Sequence, residues 1–226
     1  MKKKISILLV LCTLMVCFTG CDLLEKFKKT DSKEKANNVE TKEEKKDTTA
    51  KKDVVNDNAS YYVKVNGKKF TAGDKIADIS KVGLKQDSRV LDKKISKNTY
   101  LIGGGTIYNS NDKSVFTMTP FNATDSEITV KDAVFGAFEA GSYEYGKIDE
   151  ATTALNIEVV GGIKFGSSYE DMVKVFGETD QVYEATSLGY KTYTYKSSEV
   201  YRSYEFTIDK DGKICKIHWQ NLVFNR

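Results

Sequence analysis

An α+β fold, with short helices packed on one face of an antiparallel sheet, is predicted by three features of this 226-residue chain. Beyond residue 60 it is rich in Tyr, Phe, Val, Ile and Thr and holds one proline, Pro120, a composition that favours strands. Two short stretches carry a helical apolar period between N-capping residues and terminal glycines. The C-terminal segment alternates polar and apolar side chains over four runs separated by turns, as half-buried antiparallel strands do.

The fold does not start at the N-terminus. Lys2, Lys3 and Lys4 precede an apolar run from Ile5 to Phe18 and then small residues, the three-part layout of a secretory signal over residues 1–20. The apolar run is shorter than the roughly 20 residues that a permanent membrane-spanning helix needs. Phe18-Thr19-Gly20-Cys21, followed by the polar Asp22, resembles the lipobox of bacterial lipoproteins. The resemblance implies cleavage before Cys21, lipid on its sulfur, and a domain held on the extracytoplasmic side of a bacterial membrane. Two acyl chains suffice for stable anchoring, whereas one binds reversibly.

Removing residues 1–20 changes what the composition means. Cys12 and Cys17 leave with the signal and Cys21 carries lipid, so Cys215 is left without a disulfide partner. His218 is the sole histidine, and with Cys215 it cannot complete a four-ligand zinc site, so no metal or cofactor is expected. The formal charge of +3 resides entirely in Lys2, Lys3 and Lys4, because the remaining Lys and Arg balance the Asp and Glu. A neutral mature chain argues against nucleic acid as a partner.

Residues 21–60 are dominated by Lys, Glu, Asp, Thr and Asn and lack a sustained apolar period. Such a stretch cannot offset its ordering entropy and reads as a disordered tether. As a flexible chain it would reach roughly 35 Å. Composition changes at Tyr61, and two half-domains are expected, 61–158 and 159–226.

The first half opens with an alternating Tyr61–Val65 run into Asn66-Gly67, a two-residue hairpin signal. Asp74 is placed to cap a helix carrying Ile76, Ile79 and Val82 inward and ending at Gly83. Leu101–Thr106 includes three glycines but no following Lys-Ser or Lys-Thr, so it reads as a turn or bulge rather than a phosphate loop. The second half has the clearest helix: Ser167 with Glu170 as a capping box, Tyr169, Met172, Val173 and Phe176 on one face, Gly177 as stop. Gly73, Asp78, Lys81 and Val82 match Gly166, Asp171, Lys174 and Val175, which suggests a degenerate internal duplication. Strands are expected over 181–185, 190–195, 201–208 and 214–219, with Asp209–Gly212 as a hairpin turn.

The run Phe165–Val173 to Phe176-Gly177, then Tyr193-x-Tyr195, then Tyr204-x-Phe206 to Asp211-Gly212-Lys213-Ile214, resembles the SmpA/OmlA lipoproteins. It is similar also to the β-lactamase-inhibitor-protein (BLIP-like) superfold. The resemblance implies a non-enzymatic lipoprotein whose paired half-domains present a continuous sheet to a partner. Two departures stand against direct transfer of function: Glu178-Thr179 replaces the proline common after the helix-terminal glycine, and the inhibitor protein's disulfides cannot form.

Alternation sorts the last sheet into faces. Tyr193, Tyr195, Tyr204, Phe206, Ile208, Cys215, Ile217 and Trp219 should face the helix. The opposite face should carry Tyr190, Thr192, Thr194, Tyr201, Ser203, Glu205, Thr207, Lys216 and His218. Of these, Tyr190, Tyr201, Glu205, Lys216 and His218 form the candidate surface for an envelope protein or peptide, since tyrosine adds contact area at little entropic cost. A solvated sheet face is the competing explanation. Two other functions stay open: a structural or assembly subunit of an envelope complex, and a hydrolase using His218 as base with Glu205 orienting it. The hydrolase lacks a nucleophile motif, so the chain is expected not to be an enzyme.

Overall fold

The computed structural model describes residues 53–141 and 148–222. The expected signal segment, Cys21 and the expected tether as far as residue 52 lie outside the described residues. Packed structure already includes Asp53–Ser60, ahead of the expected start at Tyr61. Val54 and Ser60 are buried, Val55 packs on the core, and Asp57 caps a 3-10 turn over Asn58–Ser60. The expected tether therefore ends earlier, because Val54 and Val55 are an apolar pair that the domain can bury.

Strands β1 (Tyr62–Val65) and β2 (Lys68–Thr71) form the expected hairpin. Asn66 and Gly67 both take positive φ, 50° and 79°, as a type I′ turn requires. The segment Ile76–Val82 then winds as a 3-10 helix. Asp74 does not cap it; its carboxylate accepts from Thr71 N at 2.7 Å and closes the end of β2 instead. Lys75 occupies the N-cap position with no side-chain bond.

The remaining elements are β3 (Lys85–Gln86), β4 (Lys94–Ile95), β5 (Thr106–Tyr108), β6 (Ser114–Phe121), β7 (Ile128–Thr129), β8 (Val134–Gly141), α1 (Glu150–Thr153), α2 (Tyr169–Phe176), β9 (Val182–Ala185), β10 (Tyr190–Lys196), β11 (Arg202–Ile208) and β12 (Ile214–Asn221). An eight-stranded antiparallel sheet runs in the order β3-β5-β6-β8-β12-β11-β10-β9. β4 and β7 pair separately over a small cluster of Val90, Ile95, Val130 and Ala133. Leu101–Gly105 falls in the loop ahead of β5, as expected of a turn.

The capping box of α2 is made one residue later than its sequence suggests. Ser168 Oγ accepts from Asp171 N and the Asp171 carboxylate accepts from Ser168 N, both at 3.2 Å. Ser167 Oγ is engaged by Lys164 N. Met172 is fully buried, and Tyr169, Val175 and Phe176, rather than Val173, complete the apolar stripe. Phe176 sits 5.0 Å from the rings of Tyr195, Tyr204 and Phe206.

One hydrophobic cluster takes in the β1–β2 hairpin, the 76–82 helix, residues beside α1, α2, and strands from both halves of the sheet. Tyr61 stacks on Tyr204 at 5.0 Å and meets Trp219 edge-on at 5.9 Å, so the first packed residues lie over the middle of the sheet. The 61–158 and 159–226 segments thus share a sheet and a core.

In both halves a short helix precedes four strands of the shared sheet, the last of which, β8 or β12, lies at the seam; the first half adds the β1–β2 hairpin and the β4–β7 pair. Gly73 N donates to Phe135 O at 2.9 Å and Phe135 N to Asp74 O at 3.1 Å. Likewise Gly166 N donates to Ile214 O at 3.0 Å and Ile214 N to Ser167 O at 2.9 Å. The two helices carry matching Asp78–Lys81 and Asp171–Lys174 ion pairs. Both seam strands bulge at the residue after these contacts, Gly136 in β8 and Cys215 in β12. In this correspondence Glu139 matches His218, and those two residues face each other across the seam.

Candidate functional site

The face of the sheet opposite the helices is built by registers of neighbouring strands. Thr117, Glu139, His218, Glu205 and Thr194 lie opposite one another in sequence across β6, β8, β12, β11 and β10. The next row is Gly141, Lys216, Thr207, Thr192 and Tyr183. Because side chains two apart share a face, these rows form one polar surface across the seam. Hydroxyls and charges dominate it.

Lys216 is buried and its ammonium lies 3.0 Å from the half-exposed Glu139 carboxylate. Thr192 and Thr207 share a hydrogen bond between their hydroxyls at 3.0 Å. Burial holds His218 below the ordinary imidazole value; Glu139 and Glu205 on its two sides pull it back up, and Lys216 pushes it down. At neutral pH the imidazole is uncharged, and it becomes a cation between two carboxylates when the pH falls. The residue opposite it on each side is a carboxylate, so no hydroxyl directly faces it. Among the described residues, no cluster of His, Cys, Asp and Glu could hold a metal ion.

Of the five expected binding residues, three come together: Glu205, Lys216 and His218 lie within two adjacent rows. Tyr190 and Tyr201 do not join them. Tyr190 opens β10 at one end of the sheet, opposite Ala185, while Tyr201 lies in the turn before β11 at the other end, beside Leu222. At about 3.4 Å per residue the two are roughly 25 Å apart along the strands. A face centred on that tyrosine pair is therefore replaced by one centred on the seam.

Cys215 is also corrected. Its bulge lets Ile214 and Ile217 both enter the main core cluster, while Cys215 itself stands outside it with Sγ donating to Thr207 O at 3.5 Å. Burial pushes its thiol up to about 11, so it is inert near neutral pH. Tyr193, Tyr195, Tyr204, Phe206, Ile208, Ile217 and Trp219 pack on the helix side as expected.

Sequence reasoning missed Glu139, Thr117 and Tyr183. Alternation in 114–121 and 134–141 marks which residues share a face, but the pairing of β8 with β12 joins segments far apart in the chain. Tyr183 was within reach, since it falls in phase with Thr192 once β9 and β10 are paired as a hairpin. Comparison of the chain with protein-family models, curated protein sequences and solved structures finds no match.

Proposed function

We propose that this chain is a membrane-anchored lipoprotein of the bacterial cell envelope, lipidated at Cys21, whose module binds a protein or peptide without catalysing a reaction. The observation that carries this reading is the row of polar side chains running unbroken through five strands and across the seam, opposite the face that holds the core. Glu139 and Glu205, the accessible carboxylates at its centre on either side of His218, offer charge-assisted hydrogen bonds to a partner's donors. Thr117 and Thr194 at the ends of that row are short and partly exposed, so a partner can approach the strands closely there. Hydrolysis with His218 as base is the weaker reading, because carboxylates rather than a nucleophile flank that residue.

The two halves are read as a degenerate duplication of one helix-and-sheet unit, as the BLIP-like resemblance implies. The matched Gly-to-strand hydrogen bonds, the paired ion pairs and the corresponding bulges support this. A duplication places equivalent residues, Glu139 and His218, opposite each other and doubles the width of a single binding face.

A photo-crosslinker at Thr194 in the unlipidated chain, residues 22–226, tests the binding reading. It should capture a defined envelope protein that the same probe at Lys81, on the 76–82 helix, does not. Glu205→Lys with Thr117→Arg should abolish the capture. Retention of the same partner by that double variant would refute the proposed face. Recovery of the partner in a stoichiometric membrane complex would favour an assembly subunit over a free-standing binder.

A further inference from the structure

Among the described residues, the large exposed apolar side chains form two groups: Val182, Tyr183 and Leu188 on edge strand β9 and its turn to β10, and four more toward the other end of the sheet. Val200, 70% exposed, and Tyr201, 50% exposed, form the tip of the β10–β11 turn. Ile102, 83% exposed, and Tyr100, 43% exposed, form the loop ahead of β5. Registers place both at one end of the sheet: Tyr100 bridges to Phe121, Phe121 pairs with Val134, Ala137 with Gln220, and Asn221 with Arg202. β6 and β11 are three strand spacings apart and Tyr100 lies one spacing beyond β6, so the two apolar points are separated by roughly 20 Å at about 4.8 Å per spacing.

The chain also enters the domain at this end. Asn56 Oδ1 accepts from Ser198 N at 3.1 Å and from Ser197 Oγ at 2.5 Å, which lays Asp53–Ser60 against the β10–β11 turn. Asn58 Oδ1 accepts from Asn221 Nδ2 at 3.1 Å. Whatever Cys21 is attached to therefore connects, through residues 22–52, to the end that bears Val200 and Ile102.

We propose that this end of the sheet faces lipid, with Ile102, Val200 and Tyr201 lying in the headgroup layer of the membrane that anchors the chain. The proposal rests on the lipoprotein reading above and adds an orientation to it. Of the two exposed apolar groups, the one at the end where the chain enters the domain is placed to meet the membrane that holds Cys21. Tyrosine suits that layer, with its ring toward the acyl chains and its hydroxyl in water. Tyr201 holds a positive φ of 66°, a conformation uncommon for a bulky residue, at an exposed turn where Asn or Gly would be strain-free. The segment Ser197–Tyr201 has Glu199 and no Lys or Arg, so contact would come from apolar insertion rather than attraction to anionic lipid. With the sheet end toward the membrane, the polar face stands edge-on to it and stays accessible to a partner.

Residues 21–226 coupled through the Cys21 thiol to a maleimide phospholipid in phosphatidylcholine nanodiscs provide the test, since Cys215 is 1% exposed and does not compete. Val200→Trp reports one end of the sheet and Leu188→Trp, at a 68% exposed site in the β9–β10 turn, the other, against the buried Trp219 as constant background. Brominated acyl chains should quench the reporter at 200 at least about twofold more than that at 188. Val200→Ser with Tyr201→Asn should in turn weaken quenching of a reporter placed by Ile102→Trp. Equal quenching at both ends, or none at either, overturns the orientation. Self-association without lipid that is lost in the Val200→Ser, Tyr201→Asn variant, together with no quenching, would assign the patch to a second copy and also overturn it. The anchor is judged separately, by the mass of the chain recovered from membranes. An unmodified Cys21 would remove the lipoprotein reading, while the nanodisc result still decides the surface.

Discussion

Replacing Tyr204 by Phe isolates the bond that fastens Asp53–Ser60 to the sheet. The Tyr204 hydroxyl donates to Ser60 O at 2.6 Å, and both residues are buried. Burial raises the phenol well above its ordinary pKa, so it remains a donor through the whole accessible range. Phe keeps the ring contacts with Tyr61 at 5.0 Å and Phe206 at 5.7 Å, so the substitution removes little besides the hydrogen bond. A net hydrogen bond contributes about 0.5–1.5 kcal/mol, and an unsatisfied buried carbonyl costs about 1–3 kcal/mol, which together give an expected loss of about 2 kcal/mol. For a domain of this size Tm should fall by roughly 4–8 °C. Urea unfolding at pH 7 measures it, with an unchanged m-value expected. In a chain that begins at Tyr61 the acceptor is gone, and the same substitution should cost less than about 0.5 kcal/mol. A loss below that threshold in the longer chain, or equal losses in both chains, would refute the docking of Asp53–Ser60.

Three further outcomes follow from other parts of the fold. A Cβ on Gly141, whose φ is 96°, would lie 2.1 Å from Cys215 O across the seam, so Gly141→Ala should cost about 3 kcal/mol or more in thermal unfolding; a neutral result would contradict the seam register. Ser168→Ala should destabilise by about 1 kcal/mol and Ser167→Ala by clearly less, because Ser168 closes the capping box; the reverse ranking in chemical denaturation would restore the earlier cap. His218 is held below its unfolded value of 6.5, so the folded state favours the uncharged imidazole. That stability is complete above pH 6.5 and is lost as pH falls through the lower folded value. Wild type should therefore lose stability relative to His218→Gln on acidification in that window, and parallel pH profiles would remove the burial effect.

Local signals were legible wherever the responsible contacts are close in sequence. Asn66-Gly67 specifies its hairpin because both positions must hold positive φ. Asp209 specifies another by accepting from Asp211 N and Lys213 N within its own turn. The four C-terminal strands and their core face were readable from alternation, apart from Cys215, since a bulge leaves the composition unchanged while shifting the phase. The α2 cap was displaced because Ser167 and Ser168 are both able caps, with Glu170 and Asp171 each placed to answer, and only packing selects between them.

The sequence by itself determined the α+β class, the stretch of balanced charge ahead of the domain, the lipobox pattern at Cys21, and the polar character of the outer face. Those depend on composition and on spacings of two to four residues. The tertiary structure alone decided that β8 meets β12, that Glu139 stands opposite His218, that Tyr190 and Tyr201 occupy opposite ends, and that Asn56 ties the entering chain to the Val200 turn. Apart from the placement of the two tyrosines, which neighbouring strands carry to opposite ends, each of these joins residues tens to over a hundred positions apart, and no local pattern encodes which distant strand will supply a missing row of hydrogen bonds. Burial of one shared core settles that choice, because only the assembled sheet covers Trp219, Tyr204 and Phe138 at once.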